Sequence, residues 1–470
     1  MTGLFFGEKM NIVWFRNDLR VAANPALEAA QSNGLGTVAL VCLTPDSWTK
    51  HNESPLRMGL WRDRLLHLKG ELESLNVPLK VIEVGHFEHC ADAIKNLAAE
   101  LAATHLFFNH EYPLNEQLRD EAVVASLQPD VSCQGFHGEV IIPPGEVKTQ
   151  TGTDFKVYTP FSRAWRAALP RFDYPIKAIN APFPEVSIHS DEIPDDLGWR
   201  PLAYDKALWP VETESIRERV YEFVRERELD YKESRDFPAI NGTSKLSPYL
   251  TIGAVSPLQL MHVQRQEREG EGWLESSWLN EIIWREFYRH LSVAFPELSK
   301  LEPFRPETEH KIQWLDRESL WQAWCQGETG FPIVDAAMKQ LLATGWMHNR
   351  LRMVVASFLT KLIGIDWRRG EKFFMEHLID ADFPSNNGGW QWSASVGADA
   401  APYFRIFNPT AQSEKFDAQG EFLVRWLPEL AALPPKERHK PGAGQALGRP
   451  APIIDYSLER KRALDAYKDG

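Results

Sequence analysis

Short apolar runs alternate with helical periodicity over the first third of the chain. The runs fall at 12–15 (IVWF), 37–43 (TVALVCL), 79–84 (LKVIEV) and 105–108 (HLFF), each beside turn residues. Between and after them the apolar spacing becomes helical, at about 24–33, 57–75, 89–103 and 114–127. Continuous apolar runs separated by helices predict parallel strands covered on both faces. The text after the first run is RNDLRVAANP, with no G-x-G-x-x-G. The usual dinucleotide fingerprint is missing, which argues against a nicotinamide dehydrogenase.

From about 175 to 210 the pattern breaks. Six prolines fall there, and 185–196 holds five acids without a Lys or Arg, the composition of an extended connector over a surface. Beyond it strand signals nearly vanish. Residues 212–235 are charged, with an apolar stripe at Ile216, Val220 and Phe223, and predict an exposed amphipathic helix. Ser247-Pro248 and Ser256-Pro257 read as N-cap plus first-turn proline pairs opening two more helices. Helical texture continues over 278–295, 332–344, 349–363 and 371–379. The predicted architecture is α/β plus all-α: a Rossmann-like parallel domain over 1–175, a linker over 176–210 and a helical domain over 211–470.

Composition changes this picture in two respects. The chain has 52 Lys and Arg against 65 Asp and Glu, a net charge of −13. Bulk charge therefore holds it on neither nucleic acid nor an anionic membrane, and any such partner needs a local basic island. It also has 17 tryptophans, 11 of them between 273 and 426, which places any unusual chemistry in the helical part. Cys42, Cys90, Cys133 and Cys325 form no C-x-x-C pair and suggest neither a disulfide framework nor zinc. No apolar run reaches the roughly 18 residues of a membrane span. The start, MTGLFFGEKMN, lacks the basic and apolar regions of a signal peptide. The expectation is a cytoplasmic monomer without membrane or obligate protein partner.

Four constellations could carry chemistry, and each also has a structural reading. Gly242-Thr243-Ser244-Lys245-Leu246-Ser247-Pro248 offers hydroxyls, a cation and a helix start that can hold a pyrophosphate, or it is a turn capped by Ser247. At helical spacing Glu281 lies within one turn of Trp278, Trp284 and Arg285. That face is a stacking surface with an acceptor and a cation, or an interfacial helix with ordinary ion pairs. In GWMHNRLRM, Asn349 and Met353 share a face flanked by Arg350 and Arg352. Positions 339 to 375 hold seven Lys and Arg and two Asp and Glu, a net of +5, either the basic island or a solvated helix face. Finally, 380–392 packs two carboxylates, three carboxamides, two glycines and two indoles into 13 residues. Within 380–392 no His or third acid completes a metal site with Asp380 and Asp382. They suit ring N–H groups and Arg352 better, Asn386 suits a heterocyclic nitrogen, and Gly388-Gly389 allows close backbone approach. His290, His310 and His377 have no ligand-like spacing and read as structural.

IVWFRNDLR, TSKLSPYLTIG, WLNEIIWREFYRH, GWMHNRLRM and DADFPSNNGGWQWSASVGADAAPYFRIFNP closely resemble the photolyase/cryptochrome family. Within it they are most similar to the bacterial class I cyclobutane pyrimidine dimer photolyases, from about Asn11 to beyond Leu430. The resemblance implies an N-terminal antenna domain and a C-terminal helical domain holding FAD. It implies contacts to the flavin's phosphate and ribityl parts from Tyr231, Thr243, Ser244, Lys245, Leu246 and Ser247. Lys245 stands where Arg is more common, which keeps the charge but loses a bidentate fork. Trp278, Glu281, Arg285, Trp346, Asn349, Arg352, Asp380, Asp382 and Asn386 line the rest of the implied site, with Asn386 facing flavin N5. UV-damaged DNA is the implied partner, its lesion flipped from the duplex against a wedge of Trp284 and Trp392. Met353 closes that cavity, Glu281 and Asn349 meet the pyrimidine edges, and Arg235, Arg350, Arg405 and Lys415 hold phosphates. The implied chemistry is cyclobutane cleavage by an electron from light-excited reduced flavin, with Glu281, Asn349, Met353 and Asn386 around the reacting groups. Trp390, Trp367 and Trp314 match the family's chain of indoles that photo-reduces the flavin.

Relatives of the 6-4 type carry His at the positions of Asn349 and Met353, so that reading falls away. A cryptochrome-type blue-light receptor and a DASH-type single-strand photolyase remain the alternatives. Asn115, Glu116 and Lys300 match positions that hold 5,10-methenyltetrahydrofolate in folate-bearing relatives. The rival antenna is 8-hydroxy-5-deazaflavin, and a helix start with a surface lysine is the structural reading. Ala23-Asn24 stands where many relatives read Asp-Asn. The residues before Met10 have no counterpart, which makes Met10 an alternative start.

Overall fold

The computed structural model describes residues 9–172, 175–179, 181–269 and 272–468; residues 1–8, on which the alternative start turns, lie outside them. Strands Met10–Phe15 (β1), Gly36–Leu43 (β2), Leu79–Glu83 (β3), Ala103–Asn109 (β4) and Ser132–Phe136 (β5) form one parallel sheet in the order β3-β2-β1-β4-β5. The first four are the predicted runs with adjusted ends. The fifth, SCQGF, is a half-exposed edge strand and was not among them. Ile12, Trp14, Val38, Leu40, Leu106 and Phe108 turn to one face and pack with helices Cys90–Glu100 and Leu114–Leu127. Val13, Phe15, Ala39 and Val41 are equally buried, the two-sided burial that a parallel sheet requires. The strand order reverses between β1 and β4, and a cleft lies at their carboxyl ends, where Arg16, Asp18, Asn109, Glu111 and Glu139 are among its walls.

The proline-rich connector runs along the open edge of β3. Asp191 N–H donates to the Leu79 carbonyl at 2.7 Å, Leu79 N–H to Ser190 Oγ at 3.1 Å, and Val81 N–H to the Asp191 carboxylate at 3.0 Å. Lys80 pairs with the same carboxylate at 2.5 Å.

The chain divides into two compact units: Met1–Phe155 with Thr159–Val224 and Lys245–Pro296, and Lys156–Tyr158 with Arg225–Ser244 and Glu297–Gly470. The first contains the sheet, the connector and the helix Ser277–Ala294. The second is built around Trp324, Leu341, Val355, Leu359, Trp367 and Trp390.

Four helix predictions need correction. The helix expected over 212–235 is two pieces, Thr213–Glu226 and Tyr231–Ser234, because the buried stripe of Ile216, Val220 and Phe223 continues only to Val224. Ser256 does N-cap Pro257–Glu267, in a reciprocal capping box with Gln259. Ser247 does not cap: the helix Ser247–Thr251 begins on it, and Leu246 is the cap, its carbonyl accepting from Leu250 N–H at 3.1 Å. The segment 349–363 is α-helical only over Asn349–Ser357 and widens to a π-helix over Phe358–Ile363, ended by Gly364 at φ +77°. The next helix starts at Trp367, four residues early, where Asp366 accepts from Arg368 N–H at 2.9 Å. No helix among the described residues is long and apolar enough to cross a membrane.

Candidate active site

In the helical unit two chain segments are joined around a buried ion pair. The helix Pro332–Thr344 stops at Gly345, whose φ of +68° turns its N–H onto the Leu341 carbonyl at 2.8 Å. Three residues later His348 Nδ1 accepts from Arg350 N–H at 3.2 Å and caps Asn349–Ser357. Burial holds that imidazole down at about 4, so it is neutral and able to accept. Ile379 N–H donates to the Gly345 carbonyl at 2.7 Å and ties in the second segment. Arg352 then reaches Met347 O at 2.8 Å and both Asp380 oxygens at 3.0 and 2.8 Å. Asp380 is nearly inaccessible, its side chain 3% exposed against 24% for Arg352. Arg352 and Asp380 are thus partners, as the sequence suggested.

Asp382 caps the helix Phe383–Ala394 by accepting from Ser385 N–H at 3.2 Å. On its first turn Asn386 donates Nδ2–H to the Glu371 carbonyl at 2.9 Å. With the amide nitrogen occupied, Asn386 Oδ1 is the atom left to accept. Glu371 was not singled out from sequence: it is buried, burial pushes its carboxyl up to about 7 and the Asn386 amide pulls the other way. Glu371 Oε1 and the neighbouring Asn387 Nδ2 are buried without a hydrogen-bond partner among the described residues. Orphaned polar atoms beside Asp380, Asp382 and Asn386 are what a bound polar heterocycle would satisfy.

Trp390 and Trp392 are two apart on one helix and so face roughly opposite ways. Trp390 is buried and Trp392 half-buried. Trp390 fits because position 370 is glycine: a Cβ there would lie 2.1 Å from the indole. Trp367 is fully buried and donates its N–H to Glu309 at 2.9 Å. Trp314 is half-buried. Asn349 is exposed, and Met353, Trp346, Thr243 and Ser244 are half-buried. Gly242 lies so close to Ser234 that a Cβ would sit 2.8 Å from its carbonyl oxygen. Tyr231 is buried under the Arg235 guanidinium, 5.9 Å from its ring.

The basic island is largely neutralised, mostly by acids that are remote in sequence. Arg350 meets Asp236 at 2.8 Å, Arg368 meets Glu309 at 2.8 Å and Arg369 meets Glu318 at 2.7 Å, while Lys372 meets Glu376, one helical turn on, at 3.8 Å. Lys361 is buried and donates to the Arg405 carbonyl at 3.1 Å, and burial with Arg405 nearby holds it down at about 7. Arg405 and Lys415 are exposed with no ion pair among the described residues. Lys300 is exposed, 4.0 Å from Glu297.

The other unit carries Lys245, Leu246 and Ser247, with Lys245 in the left-handed region at φ +52°. Its helix Ser277–Ala294 is capped by Ser276, which accepts from Trp278 and Leu279 N–H. Trp278 is buried against Phe223, 5.1 Å between centroids. Glu281 and the half-buried Trp284 are three residues apart and share a face. Arg285 instead turns onto Glu139, at 2.7 Å from its carbonyl and 3.1 Å from its carboxylate. Next to it Glu286 is buried, accepting from Ile141 N–H, Ile142 N–H and Trp165 Nε1–H, with burial pushing it up to about 7. Asn115 lies 3.1 Å from His51, and burial with Glu111 beside it pushes Glu116 up to about 8.

Residues 11–186 match the family model described as DNA photolyase, and residues 278–469 that of the FAD binding domain of DNA photolyase. A protein of Escherichia coli (strain K12) named Deoxyribodipyrimidine photo-lyase is 45% identical over 467 residues, 97% of this chain and 98% of its own. The chain belongs to the DNA photolyase family. A solved bacterial class III photolyase of Agrobacterium tumefaciens is similar to it at TM-score 0.85 and 33% identity, over 100% of this chain and 99% of that one. An archaeal photolyase of Sulfolobus tokodaii, solved with two FAD molecules, is similar at TM-score 0.80 and 26% identity, over 98% of this chain and 100% of that one. With the family's FAD-binding domain spanning 278–469, FAD is the heterocycle that the orphaned atoms around Asn386 fit.

Proposed function

We propose that the chain is a deoxyribodipyrimidine photo-lyase, a light-driven repair enzyme acting on cyclobutane pyrimidine dimers in UV-damaged DNA. The observation that carries the reading is the 45% identity, over nearly the whole of both chains, to the relative of that name. FAD, when bound and reduced, supplies on illumination the electron that opens the cyclobutane ring. Residues 1–175 serve as antenna domain, 176–210 as linker and 211–470 as the helical catalytic domain of a cytoplasmic monomer.

In this reading Tyr231, Thr243, Ser244, Lys245, Leu246 and Ser247 hold the cofactor's phosphates and ribityl chain. Trp278, Trp346, Arg352, Asp380 and Asp382 enclose its ring, and Asn386 offers Oδ1 to a ring N–H. Arg285 serves through Glu139, its partner in the structure. Trp284 and Trp392 stack on the flipped bases, Met353 excludes water from them, and Glu281 and Asn349 hydrogen-bond their edges. Trp390, Trp367 and Trp314 pass electrons inward. Asn115, Glu116 and Lys300 hold 5,10-methenyltetrahydrofolate, with 8-hydroxy-5-deazaflavin the alternative. A Glu116 pushed up to about 8 keeps its proton at neutral pH and can donate as well as accept.

The test is restored thymine absorbance when flavin-loaded, reduced protein meets dimer-containing DNA in light and in dark. Light-dependent recovery is expected. Its absence would overturn the enzyme and leave the receptor, and recovery confined to single strands would replace the reading by the DASH type.

DNA phosphates are met by Arg235, Arg350, Arg405 and Lys415. Arg350 must first leave Asp236, whereas Arg405 is exposed and unpaired among the described residues. Arg405→Ala is therefore expected to lower the slope of log affinity against log salt by about 1. Fluorescence anisotropy on a dimer-containing duplex across a salt series checks it, and an unchanged slope would remove Arg405 from the interface.

A further inference from the structure

The helical unit holds more indole than the proposed electron chain uses. Trp390 contacts Phe374 at 5.0 Å and Trp324 at 6.1 Å between centroids, the latter edge-on at 70°. Trp324 is fully buried and stacks on Trp321, with centroids 5.4 Å apart and planes within 20°. Trp321 is half-buried on the helix Glu318–Gln326. Phe373 packs edge-on against both, at 5.9 and 5.5 Å. Three indoles therefore run in unbroken ring contact from the core to the surface.

We propose that Trp324 and Trp321 form a second electron-transfer branch from Trp390, alongside the one through Trp367 and Trp314. The branch rests on the reading in which Trp390 is the first residue to lose an electron to the photo-excited flavin. One electron moves at each step, from Trp324 to oxidised Trp390 and then from Trp321 to oxidised Trp324. Trp324 donates its N–H to the Val355 carbonyl at 3.1 Å. An amide oxygen is no proton acceptor at neutral pH, so Trp324 keeps its proton and passes the vacancy on. At Trp321, water takes the indole proton. An external thiol then returns a hydrogen atom to the ring nitrogen, and two oxidised thiols join as a disulfide.

The charges around each branch set how the flow divides. Trp367 has Glu309 on its nitrogen, which favours positive charge on that ring, although Arg368 lies 4.6 Å from the centroid. Trp321 has Arg369 at 4.4 Å over its face and no carboxylate on its nitrogen among the described residues. Arg369 is itself paired with Glu318 at 2.7 Å. A cation over the ring makes oxidation harder. Arg369 therefore throttles the branch and leaves Trp367 the faster route.

The test is laser-flash transient absorption on holoprotein with oxidised flavin, reading the yield of long-lived tryptophan radical. Bound-flavin absorbance and thermal midpoint serve as folding controls. Trp367→Phe is expected to retain part of the radical. Adding Trp321→Phe, at the half-buried end where the core is least disturbed, is expected to remove the rest, as is adding Trp324→Phe. Adding Arg369→Gln to Trp367→Phe is expected to raise the yield about 2–5-fold, the size of an exposed cation–π interaction. Abolition of the radical by Trp367→Phe alone, or equal yields in Trp367→Phe with and without Trp321→Phe, would overturn the branch. A long-lived radical persisting in Trp390→Phe would instead sink the underlying reading of Trp390.

Discussion

Replacing Arg352 by Ala is expected to destabilise the protein by about 3–5 kcal/mol, as loss of one partner from a buried ion pair does. An exposed pair would contribute no more than about 1 kcal/mol. The difference lies in Asp380, whose carboxylate is only 3% exposed and meets Arg352 with both oxygens. Because Arg352 itself keeps 24% exposure, the lower end, about 3 kcal/mol, is the appropriate figure. Met347 O would also lose its donor. A loss of that size corresponds to a fall of roughly 6–12 °C in melting temperature for a unit of this length. Flavin content should fall with it, since Asp380 would no longer be held beside Asp382 and Asn386. Arg352→Lys keeps the charge without the fork and should fall between. Calorimetry with bound-flavin absorbance checks the series; an Ala variant melting within a degree of the parent would show that the pair organises nothing.

The second large effect is a dependence on pH. The Glu371 carboxyl is pushed up to about 7 by burial, with the Asn386 amide opposing. A carboxyl whose folded value lies above its unfolded value contributes fully below the unfolded one and loses that contribution as pH rises through the folded one. The loss therefore runs from about pH 4.5 to just above 7, and its full extent is on the order of 3 kcal/mol. Glu371→Gln carries no titrating proton. The variant is expected to match the parent near pH 4 and to be more stable than it at pH 8. Asn386 bonds the backbone carbonyl of residue 371, so the substitution leaves that anchor in place. Urea denaturation at both pH values checks this, and parallel curves would mean that Glu371 is not buried as a free acid.

The parts legible in the sequence are those whose signal is local. β1, β2 and β4 are buried on both faces over most of their length and stand out as runs, and the half-buried β3 still shows Leu79, Val81 and Ile82. β5 is an edge strand with a glycine and polar residues, and little in SCQGF separates it from a turn. The Arg352–Asp380 pair was readable because the motif block already carried both residues. The state of the basic island was not, because Arg350, Arg368 and Arg369 find their acids at Asp236, Glu309 and Glu318, 51 to 114 positions away. Nor was the bond of Arg285 to Glu139, 146 positions away. Glu371 carries no motif; burial alone makes it unusual, and burial depends on the assembled core. The same holds for Gly370, an ordinary helix residue until Trp390 lies against it.

The connector beside β3 bears on where this protein can be cut. An open strand edge offers unpaired N–H and C=O groups to any other strand that approaches. Here Ser190 and Asp191 occupy those groups at Leu79 and Val81, and Asp191 also holds Lys80. The segment that composition marks as mere spacing is therefore the cover that keeps one sheet from templating the next. A fragment ending near residue 175 would keep all five strands and lose that cover. A border drawn at residue 175 and the border that keeps the sheet from self-association are separated by some fifteen residues of acidic, proline-rich chain.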